Sequence, residues 1–292
     1  MRAQIISNQD SNMNGAQLRV VSHNYQISDK EFHLFQKLIY DLAEIDLPLS
    51  KRALVVGRLS KRMRKLNITS FEEYYKLVTH KNNPAELQNT IDYLTTNETY
   101  FFREEKHFDF IANDILEKNS SNRNFKIWSA ASSSGEEAYS AAMVLADKLG
   151  LHSNWKIIGT DINQKVVSQA QRGQYPIAER DKIPKEYLID YCLKGVRSES
   201  GTMLIDNHLK KHIDFELLNL NADFPEHISN FDVVFLRNVM IYFNLETKQR
   251  LVDKIADRIK LGGYMFIGHS ETLNLVSDRF KIVRPSICMK IK

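Results

Sequence analysis

At residues 231 to 243 the chain reads Phe231-Asp-Val-Val-Phe-Leu-Arg-Asn-Val-Met-Ile-Tyr-Phe243, an apolar segment interrupted by two adjacent polar residues. The run from Phe231 to Leu236 is typical of a buried strand, and Arg237 and Asn238 end it abruptly. In an open α/β sheet, polar groups at the carboxyl end of a buried strand lie at the ligand crevice. The segment therefore predicts a binding site in addition to a core strand.

Apolar runs of this kind recur on both sides of the segment and alternate with helix-like segments. The strand-like runs are Phe125 to Ala130, Trp155 to Thr160, Ile213 to Leu218, Phe231 to Leu236 and Tyr264 to Ile267. The helix-like segments between them include Glu136 to Leu149, Gln164 to Gln171 and Leu245 to Ile259. Such alternation predicts a mostly parallel sheet covered by helices on both faces. At the carboxyl end, residues 280–283 and 287–291 predict a strand pair that closes the sheet antiparallel.

Residues 172 to 211 interrupt this alternation. Their charge is mixed, and Gly195 and Gly201 flank the sequence Val-Arg-Ser-Glu-Ser. Two interpretations remain open at this point, a small β subdomain inserted in the sheet domain or an ordinary long connection.

The amino-terminal third has a different pattern. Residues 1 to 25 are polar and aperiodic, which predicts a mobile arm. Residues 26–95 predict a small helical domain, because Ser28 with Glu31 and Ser70 with Glu73 have the spacing of a capping box at a helix start. The predicted sheet domain then spans residues 96–292.

Composition favours a folded protein of the cytoplasm. The chain has 292 residues, 43% of them hydrophobic, which is enough for a substantial core. It contains no apolar run near the roughly 20 residues of a membrane helix, and its first residues lack the apolar centre of a signal peptide. Membrane insertion is therefore not expected. Cys192 and Cys288 are too few for a disulfide framework and fit a reducing compartment.

Positive charge is concentrated in one short segment. The formal net charge of +4 is modest, so it gives no reason to expect nucleic acid as a partner. Between Lys51 and Lys65, however, there are seven basic residues and no acidic one, interleaved with apolar residues. The pattern predicts an amphipathic helix with a cationic outer face. That face is either a docking surface for an acidic partner or only a solvated basic surface.

Two other predicted strands end in residues suited to a nucleoside. The segment Ile127 to Tyr139 reads as a strand, a small-residue turn and a helix start, with Gly135 as its single glycine. A dinucleotide fingerprint would have three glycines, so a pyrophosphate cradle is poorly supported. Asp161 ends the next strand, where a carboxylate can accept both hydroxyl protons of a ribose or can cap the following helix. Together these features favour an adenosine ligand without a pyrophosphate, such as S-adenosylmethionine.

Other candidate residues are ambiguous when read alone. Thr95 to Arg103 is either an aromatic-packed hinge or a segment that places Arg103 as a fixed cation able to orient a carboxylate. Tyr242 is either a core aromatic or a hydrogen-bond donor at the site. His208 and His212 lack a nearby third ligand, so no metal site is predicted. His269 has no assigned role.

Six motifs, taken in order, resemble the CheR family of bacterial chemotaxis-receptor methyltransferases. They are Asn-Glu-Thr-Tyr-Phe-Phe-Arg, Ser-Gly-Glu-Glu-Ala-Tyr-Ser, Thr-Asp-Ile-Asn, Asn-Leu at 219 and 220, Arg-Asn-Val-Met-Ile-Tyr-Phe, and Gly-His-Ser-Glu. The resemblance implies a Rossmann-like methyltransferase sheet and transfer of methyl groups from S-adenosylmethionine to receptor glutamates, with S-adenosylhomocysteine as product. It also implies that the cofactor is contacted by Asn97, Thr99, Arg103, Glu137, Asp161, Asn219, Leu220, Arg237 and Asn238. Spacing alone does not separate Glu137 from Glu136 in this role.

The same resemblance places Arg103 and Tyr242 near the transferred methyl group. It implies that the stretch Lys51 to Lys65 faces the cytoplasmic methylation helices of a chemoreceptor, and that residues 172–211 form a β subdomain that in some members docks on a receptor-tail peptide. A glutamate acceptor, with a reference pKa of about 4.3, is ionised at neutral pH, so no general base is required. The alternatives are a methyltransferase of another protein or of RNA, and a non-catalytic cofactor-binding docking protein.

Overall fold

The computed structural model describes residues 25–117 and 124–292. The predicted mobile arm, residues 1 to 25, lies outside the described residues except for Tyr25. The described part consists of a helical domain, a sheet domain with helices on both faces, and a small sheet inserted into the latter.

The helical domain contains four helices that pack around one apolar core. They are α1 (Asp29–Ala43), α2 (Arg52–Lys65), α3 (Phe71–Thr79) and α4 (Pro84–Leu94). The capping box at Ser28 is present, since its hydroxyl accepts from the amide of Glu31 and the Glu31 carboxylate accepts from the amide of Ser28. Ser70 caps α3 in the same way through its hydroxyl. The amphipathic faces of the helices bury Phe35, Leu59 and Tyr74 in the shared core.

Residues 95–116, the interdomain linker, join the helical domain to the sheet domain. They include α5 (Lys106–Phe110) and a π-helical stretch, Ile111–Leu116. Phe101 and Phe102, which precede α5, are buried in the core of the sheet domain. The aromatic pair therefore anchors the linker to the sheet.

The main sheet has seven strands in the order β6-β2-β1-β7-β8-β10-β9. Its strands are β1 (Phe125–Ser129), β2 (Trp155–Asp161), β6 (Ile213–Leu217), β7 (Phe231–Leu236), β8 (Ile259–Ile267), β9 (Phe280–Arg284) and β10 (Ile287–Lys290). The pairs from β6 to β8 are parallel, and β10 pairs antiparallel with both β8 and β9. This arrangement confirms the predicted fold class, including the antiparallel closure.

Each face of the sheet is covered by helices, because successive side chains of a strand point to opposite faces. On one face Ile127 and Phe235 pack with α6 (Glu136–Leu149) and α7 (Gln164–Arg172). On the other face Trp128 and Val234 pack with α10 (Leu245–Ala256). Burial on both faces explains why these strands read as continuous apolar runs.

The chain reverses its direction of travel across the sheet at β1. From β1 it continues to β2 and β6 on one side, and β7 then returns to the other side of β1. The carboxyl ends of β1 and β7 therefore flank a topological switch point, where open α/β sheets bind their ligands.

The segment between α7 and β6 is a β insertion rather than an ordinary connection. It forms an antiparallel sheet of β3 (Gln174–Pro176), β4 (Cys192–Lys194) and β5 (Thr202–Ile205), with β5 in the middle. It also contains the short helices α8 (Lys185–Tyr191) and α9 (Asn207–Lys210). Tyr175 ties it to the main domain, since its hydroxyl donates to the carbonyl of Ser134 over 2.7 Å.

Candidate functional site

A cavity of about 350 Å³ lies at the carboxyl ends of β1, β2, β6 and β7, under the helical domain. All ten residues that the sequence analysis singled out for the site contribute to its lining: Asn97, Thr99, Arg103, Glu137, Asp161, Asn219, Leu220, Arg237, Asn238 and Tyr242. The helical domain contributes Ala43, Leu54 and Arg58 to the opposite wall. The cavity is therefore built jointly by the two domains.

Asp161 is held at the end of β2 by two backbone amides. Its Oδ1 accepts from the amide of Asn163 and its Oδ2 from the amide of Ser133, each over 2.9 Å. Burial raises the pKa of Asp161 to about 6, although these hydrogen bonds act in the opposite direction. Each carboxylate oxygen keeps a lone pair for a further donor, as recognition of ribose hydroxyls would require.

Capping of the helix after β2 belongs to Asn163 and not to Asp161. The Oδ1 of Asn163 accepts from the amides of Lys165 and Val166 at the start of α7. Its Nδ2 contacts the carbonyl of Asp92 at 3.1 Å, the hydroxyl of Thr95 at 2.8 Å and Oδ1 of Asn97 at 3.0 Å. This one buried side chain thus links the sheet to the end of the helical domain. Local sequence patterns do not reveal this role of Asn163, because they contain only its spacing to α7.

Arg237, directly after β7, is the centre of a buried ionic network. Its Nε lies 3.2 Å from Oε2 of Glu104, and its Nη1 lies 2.9 Å from Oε2 of Glu137. Its Nη2 donates to the carbonyl of Arg103. The side chain of Arg237 is 2% exposed, so these contacts hold the interdomain linker against the switch point.

The adjacent acids Glu136 and Glu137 have separate environments. Glu137 faces the cavity, where its Oε1 accepts from the hydroxyl of Ser129 over 2.6 Å. Glu136 turns away and accepts from the hydroxyl of Ser134. Burial raises the pKa of Glu137, and the charge of Arg237 opposes that rise. Of the two acids, Glu137 has the position expected of a cofactor ligand.

Arg103 and Tyr242 approach the cavity from different segments. The Nη1 of Arg103 donates to the carbonyl of Glu98 over 2.9 Å, and its guanidinium lies 5.8 Å from the ring centre of Tyr100. The main chain of Tyr242 is fixed, since its carbonyl accepts from the amide of Asp46 over 2.9 Å. Both side chains are half-buried. Each residue is therefore held by a hydrogen bond and also lines the cavity.

Two predicted asparagines are positioned by distant parts of the chain. The Nδ2 of Asn219 donates to the carbonyl of Leu42 over 2.6 Å, which connects the loop after β6 to α1. Asn238 has a positive φ of 56° and its amide donates to Oε2 of Glu271 over 2.8 Å. The same oxygen accepts from the amide of Gly268 over 2.7 Å. Glu271 therefore stabilises a strained turn at the site, a role that the motif Gly-His-Ser-Glu did not reveal.

A buried histidine lies beside the Arg237 network. His107 is 1% exposed, and its Nδ1 lies 3.5 Å from Oε2 of Glu104. Burial, together with the charge of Arg237, lowers the pKa of His107 to about 3. Its ring is therefore neutral at physiological pH.

The cationic face of α2 is smaller than the sequence predicts. Arg58 donates to the carbonyls of Leu94 and Thr95, and Arg62 forms an ion pair of 2.5 Å with the buried carboxylate of Glu86. Arg52 pairs with Asp29. These three basic residues serve the helical domain itself, which leaves Lys51, Lys61, Arg64 and Lys65 exposed. The prediction rested on the number of basic residues in the segment, and this number does not show which of them pair with acidic or carbonyl groups elsewhere in the helical domain.

Within residues 25–117 and 124–292, no helix is long and apolar enough to cross a bilayer.

Comparison with known proteins gives consistent matches over both domains. Residues 97–288 match the family model for the CheR methyltransferase SAM-binding domain, and residues 30–95 match that for the CheR methyltransferase all-alpha domain. A chemotaxis protein methyltransferase of Escherichia coli (strain K12) is 37% identical over 257 residues, which cover 88% of this chain and 89% of the relative. Another from Borreliella burgdorferi is 36% identical, covering 86% and 90%. One from Vibrio anguillarum is 34% identical, covering 91% and 98%.

Proposed function

Because the chain belongs to the CheR methyltransferase family, we propose that it methylates glutamate side chains on the cytoplasmic helices of chemoreceptors. The products would be glutamate methyl esters and S-adenosylhomocysteine, and the reaction would serve sensory adaptation. Family membership already makes it a methyltransferase of the chemotaxis type with S-adenosylmethionine as its cofactor. The proposal adds the identity of the methyl acceptor and the roles of individual residues.

The observation that carries the proposal is the joint cavity at the switch point. Asp161 presents a carboxylate with free acceptor capacity there, and the small residues Ala130 and Ala131 leave room beside it. These groups fit an adenosine, because its ribose supplies two hydroxyl donors and its remaining part needs no pyrophosphate cradle. Asn97, Thr99, Asn219, Leu220 and Asn238 would complete the contacts with the cofactor.

When bound, S-adenosylmethionine supplies a methyl group on a positively charged sulfur, which a carboxylate can attack without prior deprotonation. The chain's own residues then need only to align the acceptor and to exclude water. Arg103 would orient the acceptor carboxylate through two parallel hydrogen bonds, and Tyr242 would donate another. Arg237 and Glu137 are paired with each other, so they would contact the cofactor as a fixed part of the cavity wall.

Exposed basic residues of the helical domain support an acidic helical partner. Lys51 lines the cavity, and Lys61, Arg64 and Lys65 continue the positive charge along the exposed side of α2. Receptor glutamates would approach this side with complementary charge. A receptor-tail peptide at the β insertion is a further part of the proposal. It is supported by the apolar side chains of Leu193, in the edge strand β4, and Val196, just after it, which are 50% and 67% exposed.

Transfer can be tested directly with a labelled methyl donor and a purified cytoplasmic receptor fragment. We expect base-labile label on the receptor, because a glutamate methyl ester hydrolyses in mild alkali. A matched fragment with alanine at the methylation-helix glutamates should take up none. Label on RNA, or on the alanine fragment, would contradict the proposed acceptor. Cofactor binding without any transfer would support a docking protein instead.

The role of Arg103 needs a separate pair of variants. Arg103→Ala should slow transfer strongly, because the acceptor carboxylate loses its partner. Arg103→Lys keeps the charge but loses the planar fork, so it should recover only part of the rate. Turnover of Arg103→Ala at the wild-type rate would remove this residue from the catalytic group.

A further inference from the structure

We propose that Glu104, His107 and His269 form a binding site for a divalent transition metal ion of the zinc type. The three residues come from the interdomain linker and from the loop after β8. The site is independent of the identity of the methyl acceptor, and it lies beside the cofactor cavity through its shared residue, Glu104.

The distances between the three candidate ligand atoms suit one metal ion. Oε2 of Glu104 lies 3.5 Å from Nδ1 of His107 and 3.8 Å from Nε2 of His269. The ligand atoms of all three residues lie within 4.8 Å of one another. Tetrahedral zinc, with bonds of about 2.0–2.2 Å, separates neighbouring ligand atoms by about 3.4 Å. Two of the three separations are close to that value.

The buried ring of His107 has an unsatisfied nitrogen that faces this point. The hydroxyl of Ser286 donates to the carbonyl of Pro285, so its oxygen is left to accept from Nε2 of His107 over 2.7 Å. That pairing assigns the ring hydrogen to Nε2 and a lone pair to Nδ1. Nδ1 is buried and has no hydrogen-bond partner. It faces a carboxylate oxygen, which is also an acceptor, and a cation between them would satisfy both groups.

The surroundings provide a hydrogen-bond partner for the second ring nitrogen of His107 and solvent access for His269, as a metal site requires. Metal-bound histidines usually donate their other ring nitrogen to a neighbouring oxygen, as His107 does to Ser286. His269 is 58% exposed at its side chain and borders a cleft of about 570 Å³. It can therefore turn by the small amount needed to close the third separation. The cleft also leaves a position open for a water ligand.

The proposed site would affect the cofactor cavity through Glu104. Oε2 of Glu104 also accepts from Nε of Arg237. A metal ion on that oxygen would compete with Arg237 for its negative charge, while Glu137 and the carbonyl of Arg103 continue to hold the guanidinium. Occupancy would thus change the electrostatic field at the switch point without removing the network.

Calorimetry of the chelator-treated full chain with Zn²⁺ alone tests the proposal. We expect a site whose affinity falls in His269→Gln by more than the roughly 10- to 100-fold typical of losing an outer-shell partner, because this variant removes a ligand itself. The matched control is His227→Gln, since His227 is also exposed and paired with a carboxylate, Glu216, at 2.8 Å. This control should bind Zn²⁺ as the wild type does. Equal affinity in wild type and His269→Gln would overturn the proposal, as would absence of Zn²⁺ binding.

Cobalt spectroscopy reports which residues ligate the ion. Co²⁺ bound by Glu104, His107 and His269 should give visible absorption bands that shift or lose intensity in His269→Gln at saturating Co²⁺. It should show no sulfur-to-cobalt charge transfer, because Cys192 and Cys288 are not in the set. A thiolate band, or a spectrum unchanged in His269→Gln, would place the ion elsewhere and refute the site. Circular dichroism confirms that the exposed substitution leaves the fold intact.

Discussion

The guanidinium of Arg237 lies 3.2 Å from the carboxylate of Glu104, although 133 residues separate the two in sequence. Arg237 directly follows the central strand β7, and Glu104 belongs to the linker between the domains. The positive φ of Glu104, 60°, turns its main chain tightly at this contact. The pair thus joins the catalytic sheet to the segment that carries Arg103.

Arg237→Met should destabilise the fold by about 3–5 kcal/mol, because it leaves Glu104 and Glu137 as buried carboxylates without their cation. Denaturant unfolding at neutral pH measures the loss. The matched control is Arg279→Met, which breaks a more exposed pair with Asp257 and should cost about 0–1 kcal/mol. Equal losses in the two variants would show that the buried network contributes no special stability.

The deficit of Arg237→Met should shrink as the pH falls. Burial raises the folded-state pKa of Glu137 above that of the unfolded chain. A group of this kind favours the folded state when protonated, and that contribution is lost as the pH rises through its folded-state pKa. Removing Arg237 takes away the opposing influence and raises the pKa further. A deficit that grows on acidification would contradict this assignment.

Affinity for the cofactor should fall as the pH drops below about 6, which is the pKa of Asp161 in the free protein. Ribose hydroxyls donate to the ionised carboxylate, so binding below this pH must release a proton. The dissociation constant should then rise by up to about tenfold for each pH unit. Calorimetric titration measures it with S-adenosylhomocysteine. Asp161→Asn should bind weakly and without this slope, and an unchanged slope would assign the titration to another group.

Asn163→Ala should cost about 2–3 kcal/mol, because it removes a helix cap and a set of buried hydrogen bonds between the domains. Asn83→Ala is the matched control. Asn83 caps α4 through the amide of Glu86 and should cost about 1 kcal/mol. Thermal or denaturant unfolding compares them. Similar losses would mean that the interdomain bonds of Asn163 add nothing beyond capping.

Charge reversal on the exposed side of α2 should slow association with a receptor fragment. We expect Lys61→Glu combined with Lys65→Glu to lower the association rate roughly tenfold at low salt, with a smaller effect at high salt. Lys148→Glu combined with Lys281→Glu makes the same charge change on other exposed surfaces. Stopped-flow binding measures both pairs. Equal slowing would indicate that only net charge matters.

Local patterns in the sequence were sufficient for most of the secondary structure. Helix α6 and strand β7 have the predicted bounds, Glu136–Leu149 and Phe231–Leu236, because a glycine turn and a polar stop delimit them. Strand β8 begins earlier than predicted, at Ile259 instead of Tyr264. Between the pairs Phe231–Ile259 and Val233–Tyr264, β7 has one residue and β8 has four, and Gly262 and Gly263 among these four do not resemble a strand.

The contacts that build the site were less accessible from sequence. The ten predicted residues do share one cavity, since strand ends meet at the switch point. The roles of Asn163, Glu104 and Glu271 depend on partners 33 to 133 residues away, which no local spacing encodes. For the same reason, the inward pairing of Arg58 and Arg62 could not be anticipated from a charge count.

The cavity draws its walls from residues as far apart as Ala43 and Phe243. A ribosome must therefore have synthesised about five-sixths of the protein before the last wall exists. Nascent chains arrested before β7 would lack Arg237 and everything after it. Unfinished polypeptides should consequently not retain methyl donor during translation, and truncated products should not compete with the completed enzyme for it.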